Sequence, residues 1–156
     1  MKRWFFDLEE TVIDNWFSAQ IINQSVVSSF IEQNNITHIT IFSAAVFNPV
    51  DKFYFNSKIK KPLEGAFGVT VADCVSMMDV WKQSSLKNIL FDSVTECLII
   101  MGKKRMFEEW CRKYNNVHCV LLDDSFDDEV INNKTHNRIT EFVNVNNLRF
   151  DNEKES

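Results

Sequence analysis

Glycine and proline are scarce in this chain, at three and two of 156 residues. Asparagine, phenylalanine, lysine and isoleucine are plentiful instead, a usage that fits an AT-rich coding sequence. No apolar run approaches the roughly 20 residues that a membrane-spanning helix needs, so no membrane partner is expected. Met1-Lys2-Arg3 leads into only three apolar residues before Asp7, too short a core for a secretion signal. The four cysteines, Cys74, Cys97, Cys111 and Cys119, contain no CxxC pair, which argues against a zinc site or a redox couple. Three of them stand in apolar strand-like or helical surroundings, where a free buried thiol is usual. A reduced, cytoplasmic protein is the expectation. Excess positive charge is also missing: the net charge is −5 and the pI near 5.2. That argues against a protein that coats nucleic acid through its overall field. Nucleic acid is admitted only as a substrate. His38, His118 and His136 have no metal-ligand spacing and read as structural histidines.

What is present is ordinary for a globular domain: 45% hydrophobic and 25% charged residues, in a length that suits one domain with a real core. Segments of two periods alternate along it. Trp4–Phe6 is a short apolar strand. Trp16, Phe17, Ile21, Ile22, Val26, Val27 and Phe30 recur at helical spacing, which predicts a helix from Asp14 to about Gln33. His38–Phe42 reads as a strand. Pro49 and Asp51 open a predicted helix through Phe55, Ile59, Leu63 and Phe67, interrupted near Lys61-Pro62. Further strands are predicted at Val69–Val75, Glu96–Met101, Val117–Leu122 and Ile139–Val145, with helices from Met78 to about Leu90 and from Arg105 to Tyr114. This rhythm means βαβ units and a largely parallel sheet. The prediction is a single three-layer, Rossmann-like α/β domain over residues 1–150, with a charged tail at 151–156 expected to fray.

The strand ends carry the polar groups: Asp7, Ser43, Gly102-Lys103 and Asp123-Asp124. In a parallel sheet these ends line one edge, where α/β proteins bind ligands. Asp7 alone could equally be the N-cap of a following helix. Carboxylates gathered at one edge repel each other unless a cation neutralises them, and Mg²⁺ is the natural hard ion for such oxygens. A lysine beside it would offset a phosphate dianion. Asp127-Asp128-Glu129 reads either as acids at a helix N-terminus or, through Asp127, as an outer support for the metal ligands. Lys104-Arg105 is a candidate for steering phosphate, whereas Lys58, Lys60 and Lys61 read as a solvated helix face. Trp16, Trp81 and Trp110 read as core.

Taken together the pattern resembles the haloacid dehalogenase (HAD) superfamily, whose Mg²⁺-dependent phosphatases carry four motifs in this order. Phe5-Phe6-Asp7-Leu8-Glu9-Glu10-Thr11-Val12 is similar to the first, hhhDxDGTh; Thr40-Ile41-Phe42-Ser43 to the second; Gly102-Lys103 to the third; and Leu121-Leu122-Asp123-Asp124 to the fourth. The resemblance spans about residues 4 to 145. It implies a HAD-like phosphatase, a hydrolase of phosphate monoesters on a nucleotide, a nucleic-acid end or a phosphoprotein. Asp7 would be the nucleophile, Glu9 the general acid/base, Ser43 a donor to the phosphoryl group, and Lys103 its counter-charge. Asp7, the main-chain carbonyl of Glu9, Asp123 and Asp124 would hold Mg²⁺. Little room remains for a cap, so the site would be open to bulky substrates. Two departures stand out: Glu9 replaces the second Asp and Glu10 the Gly. The alternative they raise is a catalytically impaired HAD-like binding protein. A receiver-type fold also places acids at strand ends, but its acidic pair should precede the acceptor Asp rather than come last.

Overall fold

A computed structural model describes residues 1–84 and 102–148. The elements run β1 (Lys2–Phe6), α1 (Gln24–Gln33), β2 (His38–Phe42), α2 (Pro49–Tyr54), a π-helical turn (Phe55–Ile59), α3 (Lys60–Phe67), β3 (Thr70–Val75) and α4 (Met77–Gln83). They continue with α5 (Lys103–Cys111), β4 (His118–Asp123), β5 (Glu129–Asn133), a 3₁₀ turn (Lys134–His136) and β6 (Arg138–Asn144). The predicted strand Glu96–Met101 and the tail lie outside the described residues.

Six strands form one sheet in the order β3-β2-β1-β4-β6-β5, parallel throughout except for β5, which runs antiparallel to β6. Alternation along each strand sends neighbouring side chains to opposite faces. Phe6, Ile39, Ile41 and Leu122 therefore pack with Val27, Phe30 and Ile31 of α1 and with Leu63 and Phe67 of α3. Their neighbours Phe5, Phe42 and Leu121 pack on the other face with Val80 and Trp81 of α4 and Met106, Phe107 and Trp110 of α5. The result is the expected three-layer α/β arrangement. Phe107 is the hub of the second face, meeting Phe5, Phe42 and Phe142 edge-on with centroids 5.0, 5.2 and 5.7 Å away, the geometry that ring quadrupoles favour. Cys74, Cys111 and Cys119 are free and buried, as expected. Among the described residues, no helix is long and apolar enough to cross a membrane.

Three local readings need correction. Residues 14–22 are not helical; α1 begins only at Gln24. Asp14 accepts from the backbone of Asn15 and Gln20 and from the Ser18 hydroxyl, and Asn15 accepts from the backbone of Phe17 and Ser18. Such side-chain bonds compete with helix and here they win. The break in the second crossover falls at Phe55–Ile59, before Pro62 rather than at it. Proline lacks an N–H and crowds the carbonyl four residues back, and the wider π turn accommodates both before α3 starts. Finally, Asp127-Asp128-Glu129 opens no helix. It leads into the edge strand β5, and Asp128 accepts from the backbone N–H of Asn144 at 2.7 Å.

Candidate active site at the centre of the sheet

β1 and β4 are adjacent, and the chain leaves β1 toward β2 on one side while β4 lies on the other. That reversal makes a crevice at the strand carboxyl ends. Asp7 sits at its base, tied to the next strand by its backbone N–H, which donates to the Leu122 carbonyl at 2.9 Å. No helix follows Asp7 directly, so its carboxylate is not an N-cap. Leu8 instead closes a single turn, its carbonyl accepting from Thr11, Val12 and Ile13.

Asp7 is only 4% exposed. Lys103 Nζ lies 2.8 Å from Asp7 Oδ1 and 2.5 Å from Asp123 Oδ2, bridging the ends of the two central strands. The Thr11 hydroxyl donates to Asp7 Oδ2 at 3.2 Å and stands 3.5 Å from Asp124 Oδ1. Ser125 holds the other oxygen of Asp123 through its backbone N–H at 2.9 Å and its hydroxyl at 2.7 Å. Lys103 reaches this position because it is the first residue of α5, presented by Gly102 at φ 74° and ψ 150°. That conformation is essentially reserved for glycine.

The electrostatics follow from this packing. Burial pushes the Asp7 carboxyl up to about 6, with Lys103 opposing and Asp123 adding to the rise. Burial also disfavours charge on Lys103, but the two carboxylates beside it outweigh that and hold the ammonium firmly protonated. For Asp123 the burial penalty is overcome by Lys103 and by the two Ser125 bonds, so its carboxyl falls below the ordinary range. Asp124 moves up, through burial and then the charge of Asp123.

Oxygens of Asp7, Asp123 and Asp124 come within 4.8 Å of one another. Three carboxylates so close, two of them raised by burial and by the charge of the third, could hold a hard divalent cation such as Mg²⁺. The Glu9 carboxylate is not in this group. Its Oε2 accepts from the backbone N–H of Trp16 at 2.9 Å, which anchors the side chain to the 14–22 loop. A pocket of 340 Å³ opens above the group, lined by Asp7, Glu9, Ser43, Lys103, Asp124 and Phe126 among others. Ser43 is buried, its hydroxyl accepting from the Ala45 N–H at 3.2 Å.

All the residues singled out in the four motifs therefore gather at one place. Asp127 does not: it is exposed and stands outside both the pocket lining and the carboxylate group. Nor does Lys104 steer toward the pocket; it pairs with Glu129 and lies over the rings of Phe126 and Phe142. Lys58 and Lys61 are solvated as read, and His118 is structural, paired with Glu141 at 2.8 Å. The clamp by Ser125 was not read from the sequence, although a hydroxyl two residues after a buried acid is a signal for such a turn. Glu10 adopts φ 63°, so the position does call for the left-handed backbone that a glycine would take without strain. Comparison with protein-family models, curated proteins and solved structures finds no match to this chain.

Proposed function

We propose that this chain hydrolyses phosphate monoesters, with Asp7 as nucleophile and Mg²⁺ as the resident ion. The observation that carries the reading is the Lys103 bridge between Asp7 and Asp123, set beside a third carboxylate at the floor of a pocket. The HAD resemblance of the four motifs supports it.

An oxygen of Asp7 would attack phosphorus as the ester P–O bond breaks, and Glu9 would give its proton to the leaving alkoxide. Water, deprotonated by the same Glu9, would then attack the aspartyl-phosphate, release inorganic phosphate and restore Asp7. Lys103 and the Ser43 hydroxyl would meet the phosphoryl oxygens. Asp7, Asp123 and Asp124 would hold the ion, with the main-chain carbonyl of Glu9 completing the set. When bound, Mg²⁺ supplies charge neutralisation and a template for the phosphate.

A second reading, a binding protein that has lost the chemistry, has its own observation: the Glu9 carboxylate is tied to Trp16, and an acid so held must turn to serve the pocket. One experiment separates them. Release of phosphate from p-nitrophenyl phosphate is measured with and without Mg²⁺, for wild type, Asp7→Asn and Glu9→Gln. Metal-dependent turnover abolished in the first variant and reduced about 10²-fold or more in the second is the expected result. No turnover of this ester, of nucleotides, of phosphopeptides or of phosphorylated oligonucleotides sinks the phosphatase reading in favour of the binding one.

A further inference from the structure

The opposite end of the sheet carries a second polar cavity that the proposed chemistry does not use. It measures 480 Å³ and is lined by Arg112, Asn115, Asn133, His136 and Arg138. β6 runs from Arg138 to Asn144, and Asn144 is in register with Asp123. At about 3.3 Å per residue, the two sites stand roughly 20 Å apart. A phosphoryl group over Asp7 cannot reach both.

Arg138 is the telling residue. It is 8% exposed, yet no carboxylate among the described residues comes within ion-pair distance of it. Its Nη1 donates to the Arg112 carbonyl at 3.3 Å, capping the end of α5. That uses one of a guanidinium's five N–H donors. Buried charges in folded proteins are paired as a rule, because desolvation is otherwise uncompensated. Glu108 lies on the small adjoining cavity with Arg112 and Arg138, and both guanidinium charges act on its carboxyl, but it forms a salt bridge to neither, so Arg138 is only partly compensated. Arg112 does pair with Glu109, at 3.2 Å, but the arginine side chain is 65% exposed there, so the tie is weak.

The walls are built rather than incidental. The Asn133 side-chain oxygen accepts from the His136 N–H at 3.4 Å, which leaves the Asn133 amide donors for the cavity. Asn137 donates to the Asn116 side chain at 3.0 Å, tying the β5–β6 turn to the turn before β4. Both residues hold left-handed backbone, at φ 48° and 60°. Two arginines, two asparagines and a histidine thus line one space, in a protein of net charge −5.

We propose that this cavity is an oxyanion site for a phosphoryl group, held by the forked donors of Arg112 and Arg138. It is independent of the phosphatase reading and stands if Asp7 proves inert. The group would be either free inorganic phosphate or the phosphate of a nucleoside monophosphate, and the chemistry of recognition is the same.

The test is a ¹H–¹⁵N NMR titration of the full chain in EDTA, with inorganic phosphate, adenosine monophosphate and, at matched ionic strength, sodium chloride. Saturable shifts of the Asn115 and Asn133 side-chain amides and of the Arg138 Nε–H are expected, with a Kd of about 1 mM or tighter. Tighter binding of the nucleotide assigns the group to a larger molecule; equal or weaker binding assigns it to free phosphate. Arg112→Gln, at an exposed position, should weaken binding about tenfold, as should Arg138→Lys, which keeps the charge and loses the fork. Shifts confined to the Asp7 pocket, shifts reproduced by chloride, or affinity unchanged in both variants would overturn the proposal.

Discussion

Asp7→Asn offers the sharpest test of the site's electrostatics, because it should abolish activity and yet make the metal-free protein more stable. A carboxyl displaced from its ordinary 3.8 to about 6 carries about 3 kcal/mol against its ionised form in the fold. Asparagine imitates the protonated acid and removes that penalty. Its amide must still share the crowded space with Lys103 and Thr11, and an imperfect hydrogen bond takes back about 1 kcal/mol. The net gain near pH 7.5 is then about 2 kcal/mol, or roughly 4–8 °C in Tm for a chain of this size. The pH dependence has a definite sign. Between 3.8 and about 6 the folded wild type binds more protons at this position than the unfolded chain does. Its stability therefore rises as pH falls through 6 and the gain is complete near 4. The melting difference between variant and wild type should be largest above pH 7 and shrink toward pH 4.5. Circular-dichroism melts in EDTA across this range would measure it. An Asp7→Asn protein that melts below wild type at pH 7.5, or a gap that ignores pH, refutes the argument that burial dominates at Asp7.

Lys103→Met leaves Asp7 and Asp123 buried and facing each other, which should destabilise the metal-free protein by about 3–5 kcal/mol. Saturating Mg²⁺ should return part of that in a thermal melt, and a melt indifferent to the ion would count against the carboxylate group as its site. Gly102→Ala forces a side chain into a glycine-only conformation, so a loss of about 1–3 kcal/mol is expected, with turnover falling further because Lys103 is displaced. Glu10→Gly relieves left-handed strain of about 1–2 kcal/mol against the extra entropy of an unfolded glycine. A net gain of about 0.5–1 kcal/mol in urea denaturation is expected, and a loss would show that the Glu10 side chain is itself needed.

Much of this architecture is legible in the residues because the strands are short, apolar and separated by helical spacing. His38–Phe42 coincides with its predicted bounds, and Thr70–Val75 differs by one residue. The converging strand ends could be anticipated because parallel pairing places every carboxyl terminus on one edge. The loop after Asp7 could not, since Trp16, Phe17, Ile21 and Ile22 repeat at helical intervals while Asp14 and Asn15 bond the backbone into turns. Periodicity does not register the local competition for N–H groups, and Phe17, one of the periodic residues, ends up exposed. β5 escaped for another reason: Glu129–Asn133 is a mostly exposed edge strand with little apolar alternation. Arg138, polar in sequence and buried in the fold, gave no periodic sign of the second cavity.

The position of β1 between β2 and β4 has a consequence for synthesis. β2 emerges from the ribosome soon after β1 and can cover one of its edges. The other edge waits for β4, about 110 residues behind. Thr11 and Asp124, which meet in the finished site, are 113 positions apart. Until β4 arrives, the nascent chain holds Trp4-Phe5-Phe6 beside a row of open backbone donors and acceptors, the kind of edge that recruits foreign strands. The carboxylate cluster, by contrast, cannot assemble early. Asp123 and Asp124 meet Asp7 only when β4 docks, and Lys103, made before β4, is the charge that offsets their repulsion as the sheet closes.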